Sequence, residues 1–209
     1  HAEDPSVKPL KIAKDALDAD IDENGNLLLH TFDLVRHVFT GGTHPLDVHE
    51  ALRAAETLAD DGITARGFPA NVGRLEEARA LIAFAASELG GIDVLVNNAA
   101  VSPIYGPLTS MTETAFDKIM AVNLKAPLEL ACRSLPVMAA RGGGSIVNLS
   151  SVDGLRPDHD LGIYSASKAA LINLTKAMAL EWGAQNVRVN AICPGLIKTD
   201  FSAAMWNDN

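Results

Sequence analysis

Apolar positions along this chain recur in two rhythms. Short apolar runs bounded by Gly, Ser or Asn read as strands over Thr64–Phe68, Ile92–Val96, Ile146–Leu149 and Val187–Cys193. The third opens at Gly144-Ser145 and closes at Ser150-Ser151. Between these runs the spacing changes to helical. His49 to Asp60 carries Leu52, Ala55, Leu58 and Ala59 on one stripe and is ended by Gly62. Arg74 to Leu89 carries Leu75, Ala78, Leu81, Ile82, Ala85 and Leu89, a pattern that core packing explains fully. Glu113 to Arg141 and Tyr164 to Trp182 are longer, and Lys8 to Asp18 fits a short helix. Strands alternating with helices predict a doubly wound α/β parallel sheet, whose chemistry sits at strand C-termini.

The helix over Glu113 to Arg141 is expected to break at Asn123. Pro127 has no N–H, so the carbonyl four residues earlier, that of Asn123, loses its helical partner and is free to hold a water. A plain kink with a solvent-facing amide would leave the same sequence trace.

The candidate chemistry lies between Gly144 and Lys168. Ser151 stands at the end of a strand, and Tyr164 and Lys168 are four apart on a helix, so the phenol and the amine share one face. A phenol has a reference pKa of about 10 and is a poor acid or base at neutral pH. An ammonium at about 4–5 Å in an effective dielectric near 20 is worth roughly 3–4 kcal/mol, which lowers that pKa by two to three units at most. Tyr164 is thereby expected to move toward the range where general acid–base catalysis works best. The same spacing also suits an ordinary surface pair.

Three more features complete a pattern. Asn97-Asn98-Ala99-Ala100 follows the strand at Ile92–Val96, Ser151 precedes Tyr164-Ser165-Ala166-Ser167-Lys168, and Pro194-Gly195-Leu196-Ile197-Lys198-Thr199 follows the strand at Val187–Cys193. Jointly these resemble the short-chain dehydrogenase/reductase family, over roughly residues 48 to 206. The resemblance implies a Rossmann-like fold and NAD(P)-dependent interconversion of a carbonyl and a secondary alcohol. Tyr164 would pass the proton, Ser151 would hold the reacting oxygen, Lys168 would tune Tyr164 and hold the nicotinamide ribose, and Asn123 would hold the relay water. Asn98, Ala99 and Ala100 would line the adenosine side, while Pro194, Gly195, Ile197 and Thr199 would contact the nicotinamide amide and phosphates. The run CPGLIKTDFSAAMW is similar to the branch of tetrameric NADPH-dependent carbonyl and retinol reductases, which tips the cofactor expectation toward NADP. In the family the two long helices form a subunit interface, and Ala166, Ala169 and Ala170 permit close approach, so a homodimer or homotetramer is expected.

The chain also departs from the family. Val38-Phe39-Thr40-Gly41-Gly42-Thr43 resembles the end of a first strand and the start of its glycine-rich turn, with Gly41 and Gly42 as cofactor contacts. The later motif glycines are replaced by Pro45 and Asp47, which oppose close approach of a pyrophosphate sterically and electrostatically. The usual second strand and its loop are missing, and Asn71-Val72 stands where the family has Asp-Val against the adenine, keeping a hydrogen-bonding side chain without the charge. The fold is thus expected to be incomplete at both ends, with an N-terminal segment of unclear role over 1–39 and the Rossmann-like domain over 40–209. The chain opens on His1 and stops after Asn209, which fits a fragment or a processed product. A broken cofactor loop leaves open a non-catalytic role, as an interaction or scaffold protein acting through the two long helices.

Composition narrows the partners. At 209 residues and 48% hydrophobic, the chain can bury one sizeable core. A net charge of −9 disfavours nucleic acid and anionic membrane, although phosphates can still bind on helix N-termini. Cys132 and Cys193 are too few for a secreted framework and lie in apolar segments, so they read as reduced packing residues of a cytoplasmic protein. No signal peptide is visible, and the apolar run Ala80–Ala86 is too short to span a bilayer. No metal is expected, since the six His have no ligand spacing. Asp20 to Leu27 matches the first eight positions of a calcium loop, but Thr31 replaces the bidentate Glu. Phe201, Met205 and Trp206 suggest an apolar lid, hence a small-molecule ketone or aldehyde with a hydrophobic part.

Overall fold

The structure, a computed structural model, describes residues 28–32, 35–40, 56 and 64–197. The motif residues Gly41, Gly42, Pro45, Asp47 and Thr199, the acidic stretch 20–27, the helix expected over 8–18, all but residue 56 of the helix expected over 49–60, and the lid residues lie outside them.

Six strands form one sheet in the order β3-β1-β2-β4-β5-β6. They are β1 (Leu28–Phe32), β2 (Val35–Thr40), β3 (Thr64–Gly67), β4 (Val94–Asn97), β5 (Gly144–Leu149) and β6 (Val187–Ile192). Four of them, β2, β4, β5 and β6, are parallel neighbours, which gives the Rossmann-like core that the alternating pattern predicts. One strand is a surprise. Leu28–Phe32, a stretch to which the hydrophobic pattern assigns no element, fills the position between β2 and β3 and runs antiparallel to both. Leu29 pairs with Val38 on one side and with Arg66 on the other. Strand formation there rests on having two neighbours to bond rather than on local sequence, as β preference generally does.

The helices among the described residues are α1 (Leu75–Glu88), α2 (Glu113–Met120), α3 (Ala126–Ala140) and α4 (Gly162–Trp182). Thr112 caps α2, its side chain accepting the Ala115 N–H. A π turn over Ala121–Lys125 joins α2 to α3, and the Ala126 N–H reaches back five residues to the Ala121 carbonyl. The expected break at Asn123 is therefore a widened turn, placed just where Pro127 removes a donor. The crossovers β4 to β5 and β5 to β6 run in the same sense along the sheet. Right-handed parallel connections then put α3 and α4 on one face.

The core joins that layer to the sheet. Leu81, Ile82 and Ala85 of α1, Leu130 and Met138 of α3, Met178 and Trp182 of α4 and Leu95, Ile146 and Val189 of the strands are buried in one cluster. On the rim, Glu129 of α3 accepts from Arg79 of α1 at 2.6 Å and from Arg133 at 2.9 Å. Such solvated pairs contribute little. Between α3 and β5 the chain turns through Gly143 at φ 132°, where a Cβ would strike the Asn186 carbonyl, so only glycine closes this corner. No helix among the described residues is long and apolar enough to cross a membrane.

Candidate active site

Parallel register brings the strand ends to one edge. Thr40 of β2 is level with Asn97 of β4, Asn97 with Asn148 of β5, and Asn148 with Ala191 of β6. Two of these are buried amides that latch the sheet to α4. Asn97 Nδ2 donates to Asn148 Oδ1 at 2.8 Å, Asn148 Nδ2 donates to Thr175 Oγ1 at 2.9 Å, and that hydroxyl donates to the Leu171 carbonyl at 2.7 Å. Buried polar chains of this kind fix one arrangement of the elements they join.

Past that row the chain leaves β5 through Ser150 and Ser151. The Ser150 N–H donates to the Ile192 carbonyl at 2.8 Å and its hydroxyl to the Lys168 carbonyl at 2.9 Å. Val152 N–H donates to the Pro194 carbonyl at 2.9 Å, tying the loops after β5 and β6 together. A 3-10 turn at Val152–Gly154 then lies directly on α4. A Cβ at Gly154 would sit 2.8 Å from the Lys168 carbonyl carbon and 3.0 Å from its oxygen, so glycine is what allows this contact.

These constraints bring Ser151, Tyr164 and Lys168 together. Ser151 and Tyr164 are hydrogen-bonded through their side chains. Lys168 is buried to 2% exposure, its Nζ donating to the Leu149 carbonyl at 2.6 Å and standing 5.6 Å from the Tyr164 ring centroid. The electrostatics differ from the sequence expectation. Burial pushes the Tyr164 phenol up to about 12, against the Ser151 hydrogen bond that lowers it and with Asp153 and Tyr105 adding to the rise. Burial also brings Lys168 down to about 8. The expected lowering of Tyr164 by Lys168 does not hold here. Taking both groups out of water outweighs their attraction, and the ammonium faces a backbone carbonyl beside the ring.

Asn123 completes the group from behind. Its Oδ1 accepts the Val101 N–H at 2.8 Å, and its Nδ2 donates to the Val101 carbonyl at 3.0 Å and to Ser167 Oγ at 3.1 Å. Ser167 in turn donates to the Tyr164 carbonyl at 2.6 Å. The amide is thus buried, not solvent-facing, and connects the loop after β4 to the first turn of α4.

Of the residues expected on the cofactor side, Asn98, Ala99 and Ala100 directly follow β4, and Pro194, Gly195 and Ile197 follow β6. They flank the Ser151 loop at the ends of adjacent parallel strands. Among the described residues, nothing lies within 4 Å of a Cβ built on Gly195. Nothing among the described residues at this glycine opposes the nicotinamide half of a dinucleotide. Asn71 stands in the turn before α1. Its Oδ1 accepts the Gly73 N–H at 3.0 Å, which shapes the turn leading into α1, and Val72 is packed in the core at 2% exposure. Cys132 is exposed rather than packed inside, because α3 turns it outward, and both cysteines are free.

Several supporting residues carried no signal in the motif reading. Asn148, Ser150, Asp153, Ser167 and Thr175 act by contacts made only in the folded chain. Asp153 N–H donates to Ser151 Oγ at 3.1 Å, and that hydroxyl lies 3.1 Å from Asp153 Oδ2.

The chain is similar in sequence and fold to known proteins. The sequence profile of the family described as short chain dehydrogenase matches residues 41–209. The chain is 46% identical over 156 residues to dehydrogenase/reductase SDR family member 4 of Oryctolagus cuniculus, covering 75% of this chain and 60% of that one. It is 42% identical to the Homo sapiens protein of the same name, covering 75% and 56%. It thus spans little more than half the length of these relatives. Among solved structures, a gluconate 5-dehydrogenase of Burkholderia cenocepacia in complex with NADP and tartrate superposes with TM-score 0.74 at 30% identity, covering 78% of this chain and 63% of that one. An NAD+-bound xylitol dehydrogenase superposes with TM-score 0.70 at 26% identity, covering 73% and 59%. With its strand order, its Ser151–Tyr164–Lys168 cluster and these matches, the chain belongs to the short-chain dehydrogenase/reductase family.

Proposed function

We propose that the chain acts as an NAD(P)-dependent oxidoreductase interconverting a carbonyl and a secondary alcohol. The observation that carries this reading is the Ser151–Tyr164 hydrogen bond beside a buried Lys168, at the edge where parallel strands end. When bound, the nicotinamide supplies or accepts the hydride. Tyr164 keeps its proton at neutral pH and gives it to the carbonyl oxygen during reduction, taking it back in the reverse direction. Ser151 donates a hydrogen bond to the same oxygen, where charge develops in the transition state. Lys168 holds positive charge behind the ring, and Asn123 with Ser167 holds the first turn of α4 in place. Gly41, Gly42, Asn71, Val72, Asn98, Ala99, Ala100, Pro194, Gly195, Ile197 and Thr199, with Tyr164 and Lys168, are the cofactor contacts of this reading. It takes NADP in preference to NAD.

Exposed apolar side chains favour a substrate with a hydrophobic part. Val152 and Leu155 lie on the turn after Ser151, Tyr105 adds to the rise of the Tyr164 phenol, and Leu108 rests on Gly162 at the start of α4. A homodimer or homotetramer through α3 and α4 is favoured by the outward Leu128 and Cys132 on α3 and Leu180 on α4, the last 86% exposed. The reduced thiols favour the cytoplasm.

Pro45 and Asp47 favour the second reading, a non-catalytic interaction protein, because a broken phosphate loop leaves the proton-transfer residues without a hydride source. The test is NADPH and NADH consumption with a panel of ketones, aldehydes and polyols, beside the variant Tyr164→Phe. Turnover that falls at least about 100-fold in the variant supports the enzyme. Absence of turnover, together with no cofactor binding by calorimetry, supports the scaffold.

A further inference from the structure

The 3-10 turn after β5 puts a carboxylate against the very hydroxyl that the proposed reaction uses. Ser151 Oγ lies 3.1 Å from Asp153 Oδ2, and the Asp153 N–H donates to the same oxygen at 3.1 Å. The turn has little room to move away, because Gly154 rests on the Lys168 backbone and Val152 is bonded to the Pro194 carbonyl. No cation among the described residues pairs with Asp153. A substrate oxygen held by Ser151 sits one further hydrogen bond away, so the carboxylate stands about 6 Å or less from the reacting centre.

We infer that Asp153 is a specificity-determining residue of this site: its carboxylate turns the site against carbonyl substrates that carry an anionic group near the reacting carbon, and toward neutral or amine-bearing ones. The inference rests on the oxidoreductase reading for the identity of the site. Two shifts agree with a charge that reaches beyond Ser151. Tyr164 and Tyr105 are both raised by burial first, and Asp153 adds to the rise in each. Asp158 adds further to Tyr105, so the loop beyond the turn reinforces the sign. Ser151 has one hydroxyl proton, which it shares between Asp153 and the substrate oxygen, so Asp153 also sets how readily that proton faces the substrate. At this separation, beside the buried Ser151 and Tyr164, one added like charge is worth on the order of tenfold to hundredfold in affinity.

The experiment compares a 3-oxo acid with its methyl ester in the native chain and in Asp153→Asn, which keeps the size and hydrogen-bonding of the side chain and drops its charge. The native chain is expected to favour the ester by about tenfold or more in kcat/KM, shrinking with added salt, and the variant to bring the two within a few-fold. Saturation-transfer NMR on the same pair gives the binding preference without requiring turnover. An ester-to-acid preference that is unchanged in Asp153→Asn, or a native chain that binds the acid as well as the ester, overturns the inference. Charge-dependent binding without any turnover would sustain it while removing the enzyme reading, so the two failures are distinct.

Discussion

Lys168 Nζ stands 5.6 Å from the centre of the Tyr164 ring and donates to the Leu149 carbonyl at 2.6 Å, so the amine that the motif pairs with the phenol is anchored to the strand beneath it. Both groups are buried, and burial moves each toward its neutral form. The pair is therefore costly to fold, as functional pairs commonly are.

That cost has a sign that pH reveals. Lys168 falls from its ordinary 10.5 to about 8 in the folded chain, so below pH 8 both states carry the proton and the full penalty is present. From about pH 8 to 10.5 only the unfolded state holds it, and stability rises by up to about 3 kcal/mol. Tyr164 acts oppositely, since its folded value of about 12 exceeds its ordinary 10 and stability is lost as pH climbs from 10 to 12. Urea unfolding of Lys168→Met at pH 7 and pH 9.5 checks this. The variant should be more stable at pH 7, by on the order of 1–3 kcal/mol, and should lack the rise. A native chain with flat stability from pH 7 to 10 would refute the burial of a titrating amine.

Gly154 should be intolerant of even one methyl group. Its Cβ would meet the Lys168 backbone at 2.8 Å and Ile172 Cδ1 at 3.0 Å, so Gly154→Ala must lift the turn that carries Ser151. We expect roughly 1–3 kcal/mol of destabilisation and a fall in kcat of about tenfold or more from a displaced Ser151. An alanine variant with native kcat would show that the turn can shift without moving the hydroxyl.

Asn123 pairs both backbone groups of Val101, as a neighbouring strand would. Asn123→Leu leaves a buried N–H and a buried carbonyl unmet, at about 1–3 kcal/mol each. Asn123→Asp keeps the acceptor for the N–H but sets a carboxylate against the carbonyl. Thermal denaturation should rank the native chain first. Equal melting of Asn123→Leu and the native chain would mean that water replaces the amide.

The cofactor loop provides the remaining test. Pro45 and Asp47 stand where close approach and neutral charge are required, so NAD(H) and NADP(H) should bind weakly, and Pro45→Gly with Asp47→Gly should tighten NADPH by about 10- to 100-fold, the worth of one regained charge-assisted hydrogen bond. Calorimetric titration decides. Micromolar binding by the native chain would show that the loop is compensated elsewhere.

The alternation of strand and helix, the edge where chemistry gathers, and the three side chains that meet there were legible in the residues alone, because each depends on local spacing: a period of 2 or 3.6, a residue ending a strand, two residues one helical turn apart. The break at Asn123 was also legible, since a missing N–H at Pro127 is a property of the residue. The rest follows from contacts between elements far apart in the chain or packed against one another. Leu28–Phe32 is a strand because β2 and β3 offer it partners on both sides, and no local pattern records that. Asp153, Ser150 and Asn148 matter through groups distant in the chain or across a tight turn. The direction of the Tyr164 shift was invisible for the same reason: spacing fixes which charges are near, but desolvation depends on every atom that excludes water, and only the packed sheet and α4 supply those atoms.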